Sequence, residues 1–121
     1  MANLTIKETA LLAAEAADDK KAFEIEVLDV QGLTVIADYF VICSANSDKQ
    51  VRAVAHAIED KLSEAGIEPR RVAGMNEARW VLLDYADIIV HVFQKREREY
   101  YDLERLWADA ESILAREEES N

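Results

Sequence analysis

The feature that most constrains the fold is a nearly continuous apolar run of strand length, Tyr39–Ala45, which an amphipathic helical pattern follows at once. Such a run is typical of a strand covered on both faces, since a strand with one wet face would alternate polar and apolar residues. Ser47 is then a good helix N-cap with Gln50 at the capping-box position, and Gly66 and Pro69 are placed to end the helix. Apolar residues recur every three or four positions between them, at Val51, Val54, Ala55, Ile58 and Leu62. A buried strand followed by such a helix indicates an α/β fold.

The N-terminal segment predicts a second helix and a half-buried strand. Thr5 and Glu8 form a capping-box pattern, and the alanine-rich sequence through about Ala17 has high helix propensity. One face of this helix collects the residues that can pack closely on a sheet, Ile6, Ala10, Ala13, Ala14 and Ala17. The strand is indicated by the alternation of Phe23, Ile25 and Val27 with Glu24 and Glu26, and Val30 to Leu33 then turns the chain.

The second half of the chain predicts a short strand and turn over 70–74, a β-hairpin and a final helix. Trp80 to Leu83 and Ile88 to Phe93 have strand character, and the four residues between them fit a hairpin turn. From about Arg96 the spacing becomes helical, with a break near Asp102 as an alternative. The apolar positions of this helix are Tyr100, Leu103, Trp107, Ala110 and Leu114. The predicted architecture is therefore a single-domain α/β sandwich over 1–121 with a mixed sheet, in the order α-β-β-α-β-β-β-α, and its acidic tail is expected to fray from about 110.

The charge of the chain argues against direct nucleic-acid binding. The formal net charge is −11, with 11 acidic and 6 basic side chains in residues 1–61 and 14 and 8 in residues 62–121. Phosphates repel such a protein, whereas a basic protein partner would complement it. Solubility alone is the alternative explanation of the charge.

Composition and cysteine usage predict a soluble cytoplasmic protein. The lone cysteine, Cys43, has no intramolecular disulfide partner and lies in the apolar run, so we interpret it as a small buried hydrophobe. We expect no secretion signal, because no basic segment near the N-terminus leads into an apolar run. No apolar stretch reaches the roughly 20 residues that span a bilayer. No cofactor is predicted, and a homodimer is left open beside a monomer.

Catalysis has little support in the sequence. The three glycines stand alone at turns rather than in a phosphate-binding loop, and no zinc-type spacing of Cys or His is present. Asp84, Asp87 and His91 would gather near one end of the hairpin, where they could serve a metal-dependent or acid/base reaction. Turn aspartates are also common for local hydrogen-bonding reasons. A nucleotidyltransferase-like or metal-dependent enzyme using these three residues is therefore the alternative hypothesis.

The aromatic residues favour a recognition surface. Both tryptophans and three of the four tyrosines lie between positions 80 and 107. Strand alternation turns Val81 and Leu83 towards the core and directs Trp80, Leu82 and Asp84 to the opposite face. If helices cover only one face of the sheet, these three residues are exposed and can anchor a basic partner. A second buried sheet face is the alternative for them.

Six sequence blocks lie along the chain in a fixed order, at 27–33, 37–42, 46–51, 79–87, 90–93 and 98–107. In these blocks and in their order the chain resembles the ribosomal silencing factor family, RsfS, also called Iojap. The resemblance covers nearly the whole chain.

The resemblance implies a nucleotidyltransferase-like α/β fold without catalysis. It implies binding to the large ribosomal subunit through the ribosomal protein numbered fourteen of that subunit, so that the bound factor sterically prevents joining of the small subunit and represses translation. In organelles, relatives act in ribosome assembly. Together with the strand alternation, it predicts a partner-binding surface made of Trp80, Leu82, Asp84, Tyr85, Asp87, Tyr100 and Tyr101.

Overall fold

The computed structural model describes residues 4–102, 105 and 107–113. Within these residues the helices are α1 (Ile6–Asp19), α2 (Asp48–Glu64) and α3 (Lys95–Tyr101), and the strands are β1 (Phe23–Asp29), β2 (Tyr39–Ala45), β3 (Arg71–Ala73), β4 (Trp80–Asp84), β5 (Ile88–Gln94) and β6 (Glu111–Ser112). The predicted order of elements is confirmed, with β6 added at the end. Of the helices in the described ranges, none combines the length and apolarity needed to cross a bilayer.

The strands form one mixed sheet in the order β3-β4-β5-β2-β1-β6. Neighbouring strands are antiparallel except β2 and β5, which run parallel with Tyr39 beside Ile88 and Ala45 beside Gln94. Every residue of β2 is buried, as its apolar run predicts for a strand covered on both faces. The mixed α/β fold class is therefore confirmed.

Helices α1 and α2 cover one face of the sheet. Both begin at the predicted caps, where the Thr5 hydroxyl accepts the Glu8 amide at 3.0 Å and the Ser47 hydroxyl accepts the Gln50 amide at 3.1 Å. The predicted apolar stripe of α2 is buried in full, and the small alanines of α1 let that helix approach the sheet closely. Cys43 is buried in this core as predicted, and burial raises the pKa of its thiol to about 12 although the Arg98 charge acts in the opposite direction.

A second, smaller apolar cluster lies on the other face of the sheet. Its buried members are Leu28, Val30, Ala37, Phe40, Ile42, Ile89 and Phe93. Trp107 and Ala110 pack against it from the segment after α3, and Trp80 and Leu82 pack against it from β4. This face is therefore partly covered by the chain itself, although no helix as long as α1 or α2 lies on it in the described residues.

The helix predicted from Arg96 ends at Tyr101 rather than running on to Leu114, and the break near Asp102 that the sequence left as an alternative is confirmed. Asp102 adopts a left-handed backbone conformation, with φ of 48°, which ends α3. The chain then turns back, and Ser112 and Glu111 pair with Leu28 and Asp29 of β1. Residues 111 and 112 of the predicted tail thus lie in the sheet, while Leu103 and the tail from Leu114 onwards lie outside the described residues.

Candidate protein-binding surface

Trp80 lies at the start of β4, half-buried in an aromatic cluster on the face away from α1 and α2. The cluster consists of Phe40, Trp80, His91, Phe93, Tyr101 and Trp107. The indole stacks on Phe93 with 4.8 Å between ring centroids and meets Tyr101 at 4.7 Å. The sequence left an exposed face and a second buried face as alternatives, and the structure is intermediate, because Trp80 and Leu82 are each only partly covered.

The orientation of the Trp80 indole is fixed by His91 of β5. The indole N–H donates a hydrogen bond to His91 Nδ1 at 3.1 Å, and the edge of the imidazole meets Phe40 at 5.3 Å between centroids. His91 is buried, and burial lowers its pKa to about 4, so the ring is neutral at physiological pH and Nδ1 is free to accept. Sequence reasoning missed this role. The available signal was the hairpin register, which sets Trp80 beside Phe93 and places His91 two residues away on the same face.

Helix α3 extends the aromatic surface with two exposed tyrosines. Tyr100 is 74% exposed and Tyr101 is 51% exposed, and their rings stack at 5.1 Å with an interplanar angle of 11°. The helix is attached to the sheet by the buried guanidinium of Arg98, which donates to the Ser44 hydroxyl at 3.0 Å and to the Glu24 carbonyl. The exposed rings are therefore carried by a short helix whose position the sheet determines.

Two glutamates that the sequence analysis missed lie beside Trp80. A recess of about 270 Å³ is lined by Trp80, Tyr101, Glu77, Glu97 and Arg79, together with Gly74. Glu97 could have been found from helical spacing, because it lies four residues before Tyr101 on the same face of α3. An aromatic anchor bordered by carboxylates suits a basic side chain of a protein partner.

Gly74 lets the backbone of β4 approach the preceding turn. Its φ is 87°, and a Cβ atom at this position would lie 2.2 Å from the Trp80 carbonyl oxygen. Only glycine meets both conditions without a shift of the backbone. The position of Trp80 thus depends on this turn as well as on the aromatic cluster.

The predicted exposure of Asp84 is wrong. Its side chain is buried, and both carboxylate oxygens accept Arg70 Nη2 at 3.2 Å, while Oδ1 also accepts the Ala86 amide at 2.8 Å. Burial raises the pKa of Asp84, but the bonds from Ala86 and Arg70 and the charge of Arg71 outweigh burial and hold it below its ordinary value. Asp84 therefore stabilises the hairpin turn and joins it to Arg70. Aspartates in turns often have such a local role.

Tyr85 and Asp87 are placed differently from each other. Tyr85 is buried in the core on the side of α1 and α2, where burial and the charges of Glu59 and Glu68 raise the pKa of its hydroxyl. The predicted place of Tyr85 on the partner-binding surface is therefore wrong, because its side chain faces the helices. Asp87 is exposed, and its backbone carbonyl accepts the amides of Asp38 and Tyr39 at 2.8 and 3.2 Å.

The three residues of the alternative enzyme hypothesis do not form a site. Asp84 is engaged by Arg70, Asp87 lies exposed at the turn, and His91 faces Phe40 and Trp80 within the aromatic cluster. Within the described part of the chain, no three His, Cys, Asp or Glu side chains are grouped so that they could hold a metal ion. The expected gathering at one end of the hairpin is therefore wrong, because His91 lies further along β5, opposite Leu82.

Comparison with known proteins agrees with this architecture. The family model described as ribosomal silencing factor during starvation matches residues 3–121. The chain belongs to the RsfS family. Among its relatives, the ribosomal silencing factor RsfS of Bacillus subtilis (strain 168) is 54% identical over 99 residues, which are 82% of this chain and 84% of the relative.

Solved structures of similar sequence share the fold. The crystal structure of a protein from Chromobacterium violaceum matches with a TM-score of 0.85 and 37% identity, covering 87% of this chain and 88% of that one. The crystal structure of a protein from Bacillus halodurans matches with a TM-score of 0.76 and 48% identity, covering 84% of this chain and 94% of that one. Relatives in the RsfS family carry the name of regulators rather than of enzymes.

Proposed function

We propose that this protein binds the large ribosomal subunit and sterically blocks joining of the small subunit, which lowers translation. The docking surface is formed by Trp80, Leu82, Tyr100 and Tyr101. The observation that carries the proposal is the state of Trp80, whose ring is held by Phe93, Tyr101 and a hydrogen bond to His91 while part of it stays accessible. A rigid aromatic side chain at a partly open surface is the usual form of an interface anchor, since little conformational entropy is lost on binding.

The partner on the large subunit is a basic protein, and the family resemblance points to the one numbered fourteen. Glu77 and Glu97 border the Trp80 recess, so basic side chains of the partner would meet carboxylates at the rim of the contact. The net charge of −11 disfavours docking on ribosomal RNA. In this proposal the protein reaches the subunit through protein contacts.

The remaining predicted site residues differ in exposure, and so in their proposed roles. Asp87 is exposed at the hairpin turn, and the proposal gives it a direct contact with the partner. Asp84 and Tyr85 are buried, so their contribution is to hold the turn that carries Asp87. Steric blocking needs no turnover, which agrees with the scattered positions of Asp84, Asp87 and His91.

The proposal is tested by sedimenting purified large subunits with the wild-type protein and with Trp80→Ala. We expect the substitution to weaken binding by about 2 kcal/mol, or roughly 30-fold, as for an anchor in a desolvated contact. Because Trp80 is half-buried, the variant also loses some stability. Leu12→Ala is the matched control, since Leu12 is a partly buried residue packed on the opposite, helix-covered side of the sheet.

Subunit joining, followed by light scattering, provides the functional measurement. The wild-type protein and Leu12→Ala should both slow the joining of the two subunits, and Trp80→Ala should do so only at higher concentration. Unchanged binding by Trp80→Ala together with a lower melting temperature would show that Trp80 serves the core alone. Failure of the wild-type protein to sediment with large subunits would refute the proposal altogether.

A further inference from the structure

The loop between β1 and β2 exposes three apolar side chains within four residues. Leu33 is 45% exposed, Ile36 is 60% exposed, and Val35 is as exposed as in an extended chain, at 103%. Single exposed apolar residues are ordinary, but a contiguous group is the usual mark of a binding surface. None of the three belongs to the aromatic surface of the proposed function.

The loop is nonetheless well fixed by hydrogen bonds. The Val30 carbonyl accepts the amides of Leu33 at 3.0 Å and Thr34 at 3.2 Å, while the Val30 amide donates to the Asp38 carbonyl at 2.9 Å. Thr34 Oγ1 accepts the Ile36 amide at 3.2 Å. The side chains are thus presented by an ordered loop, so a partner would not have to supply the free energy of ordering it.

Carboxylates surround the loop, and basic residues are absent from its part of the sequence. Residues 22–48 contain no Lys or Arg but five acidic side chains, which include Asp29 and Asp38. A recess of about 350 Å³ beside Leu33 is lined by Asp29, Asp109, Glu111 and Gln31. Asp87 also adjoins the base of the loop, since its carbonyl accepts the Asp38 amide. This combination disfavours phosphate groups and favours lysine and arginine side chains.

The loop lies away from Trp80, near the opposite end of the sheet. Tyr39, at the end of the loop, pairs with Ile88, whereas Trp80 pairs with Phe93 five residues further along β5. With a rise of about 3.3 Å per residue and about 4.8 Å between strands, the two positions are on the order of 20 Å apart. That distance is within the width of one protein–protein interface of ordinary size, about 800 Å² on each partner.

We propose that Leu33, Val35 and Ile36 form a second docking surface, which takes a polypeptide segment carrying both basic and apolar side chains. The apolar side chain packs on the loop tip, and a lysine or arginine enters the recess beside Leu33. The inference rests on the proposed function, since the segment belongs to a protein of the large subunit. It adds that the contact has two separate points and that the second point meets protein rather than ribosomal RNA.

The first experiment measures binding of the Val35→Ser, Ile36→Ser double variant to purified large subunits. Both side chains are largely exposed, so the fold should keep its melting temperature. We expect binding at least about tenfold weaker than wild type, as for the loss of two aliphatic side chains that the partner buries only in part. Val72→Ser is the matched control, because Val72 is an exposed apolar residue, 39% exposed, on β3 at the far edge of the sheet. It should bind within about twofold of wild type.

The second experiment places a photoreactive amino acid at position 35 and irradiates the complex with the large subunit. The expected product is a crosslink to a ribosomal protein within a segment rich in lysine and arginine. A crosslink to ribosomal RNA, or wild-type affinity of the double variant, would overturn the inference. If Trp80→Ala weakens binding while the loop variant does not, the proposed function stands and the second surface falls. If the wild-type protein does not bind, both fall.

Discussion

Acid should destabilise this protein through His91, because the fold keeps its imidazole buried and neutral. The imidazole is buried, its Nδ1 accepts the Trp80 indole, and its Nε2 has no hydrogen-bond partner in the described part of the chain. Protonation would bury an unpaired charge and would replace the acceptor of the Trp80 bond with a second donor. We therefore expect the folded state to resist protonation of His91 over the range in which the unfolded chain accepts a proton.

The size of the effect follows from the two pKa values. The pKa of His91 is about 6.5 in the unfolded chain, and burial lowers it to about 4 in the folded protein. Because the unfolded state binds more protons between these values, stability falls as pH falls from about 6.5 towards 4. At 1.36 kcal/mol per pKa unit, the free energy of unfolding should lose about 2.5 kcal/mol between pH 7.5 and 4.5.

The assay is urea unfolding of the wild-type protein and of His91→Gln at several pH values between 7.5 and 4.5. Glutamine does not titrate, and its carbonyl oxygen can still accept the indole N–H. All carboxylates are common to both proteins, so the difference between the two free energies isolates the imidazole. We expect that difference to change by about 2.5 kcal/mol across the range, in favour of the variant at acid pH.

A difference that stays constant within about 0.5 kcal/mol would refute the reasoning, since it would mean that His91 titrates alike in both states. Tryptophan emission adds a second readout, measured with Trp107→Phe so that Trp80 is the only indole. It should change in the wild-type background as the pH approaches 4 and should stay unchanged with His91→Gln.

Four further outcomes are expected. Gly74→Ala should lower the free energy of unfolding in urea by about 2 kcal/mol or more, because φ at Gly74 is 87° and the new Cβ would meet the Trp80 carbonyl. Gly32→Ala should cost less, since no atom lies within 4 Å of a Cβ at that position. Arg98→Ala should cost about 3 kcal/mol in the same assay, since it leaves buried polar groups without their donor. In stopped-flow mixing with large subunits, association should slow between low and physiological salt, and dissociation should change less. An association rate that does not change with salt would mean that the net charge serves solubility only. A chelator should leave inhibition of subunit joining intact, whereas activity that is lost on chelation and regained with magnesium would restore the enzyme hypothesis.

Sequence reasoning succeeded where the signal is local. The caps at Thr5 and Ser47, the apolar stripe of α2 and the run Tyr39–Ala45 each depend on neighbours within one or two turns, and each is confirmed. Strand β6 could not be predicted, because two residues carry no periodicity and their pairing depends on an edge of β1 more than 80 residues earlier. The aromatic spacing from Tyr100 to Trp107 fitted a helix, but the left-handed Asp102 and the packing of Trp107 on Phe40 decided otherwise.

The protein-binding surface was predicted only in part, because strand alternation is a local signal whereas burial depends on residues distant in sequence. Alternation along β4 correctly placed Trp80 and Leu82 together, but it could not show what covers that face. Asp84 shares their side of the strand, yet Arg70, which pairs with it, lies 14 residues away in sequence. Tyr85 lies on the helix side with Val81 and Leu83, which is where alternation continued past β4 puts it, so its predicted place on the surface did not come from alternation.

The parallel pairing of β2 and β5 sets an order of events when the chain folds. Ile42 lies beside His91, 49 residues later, and the crossover between them contains α2, β3 and β4. A chain still being synthesised therefore holds its most apolar strand without a neighbour on that side until residues 88–94 have been added. At about 5–20 residues per second, this interval lasts several seconds. Closing so long a loop is slow and leaves the strand open to aggregation, so fragments that end before residue 88 should fail to fold and should be retained by chaperones.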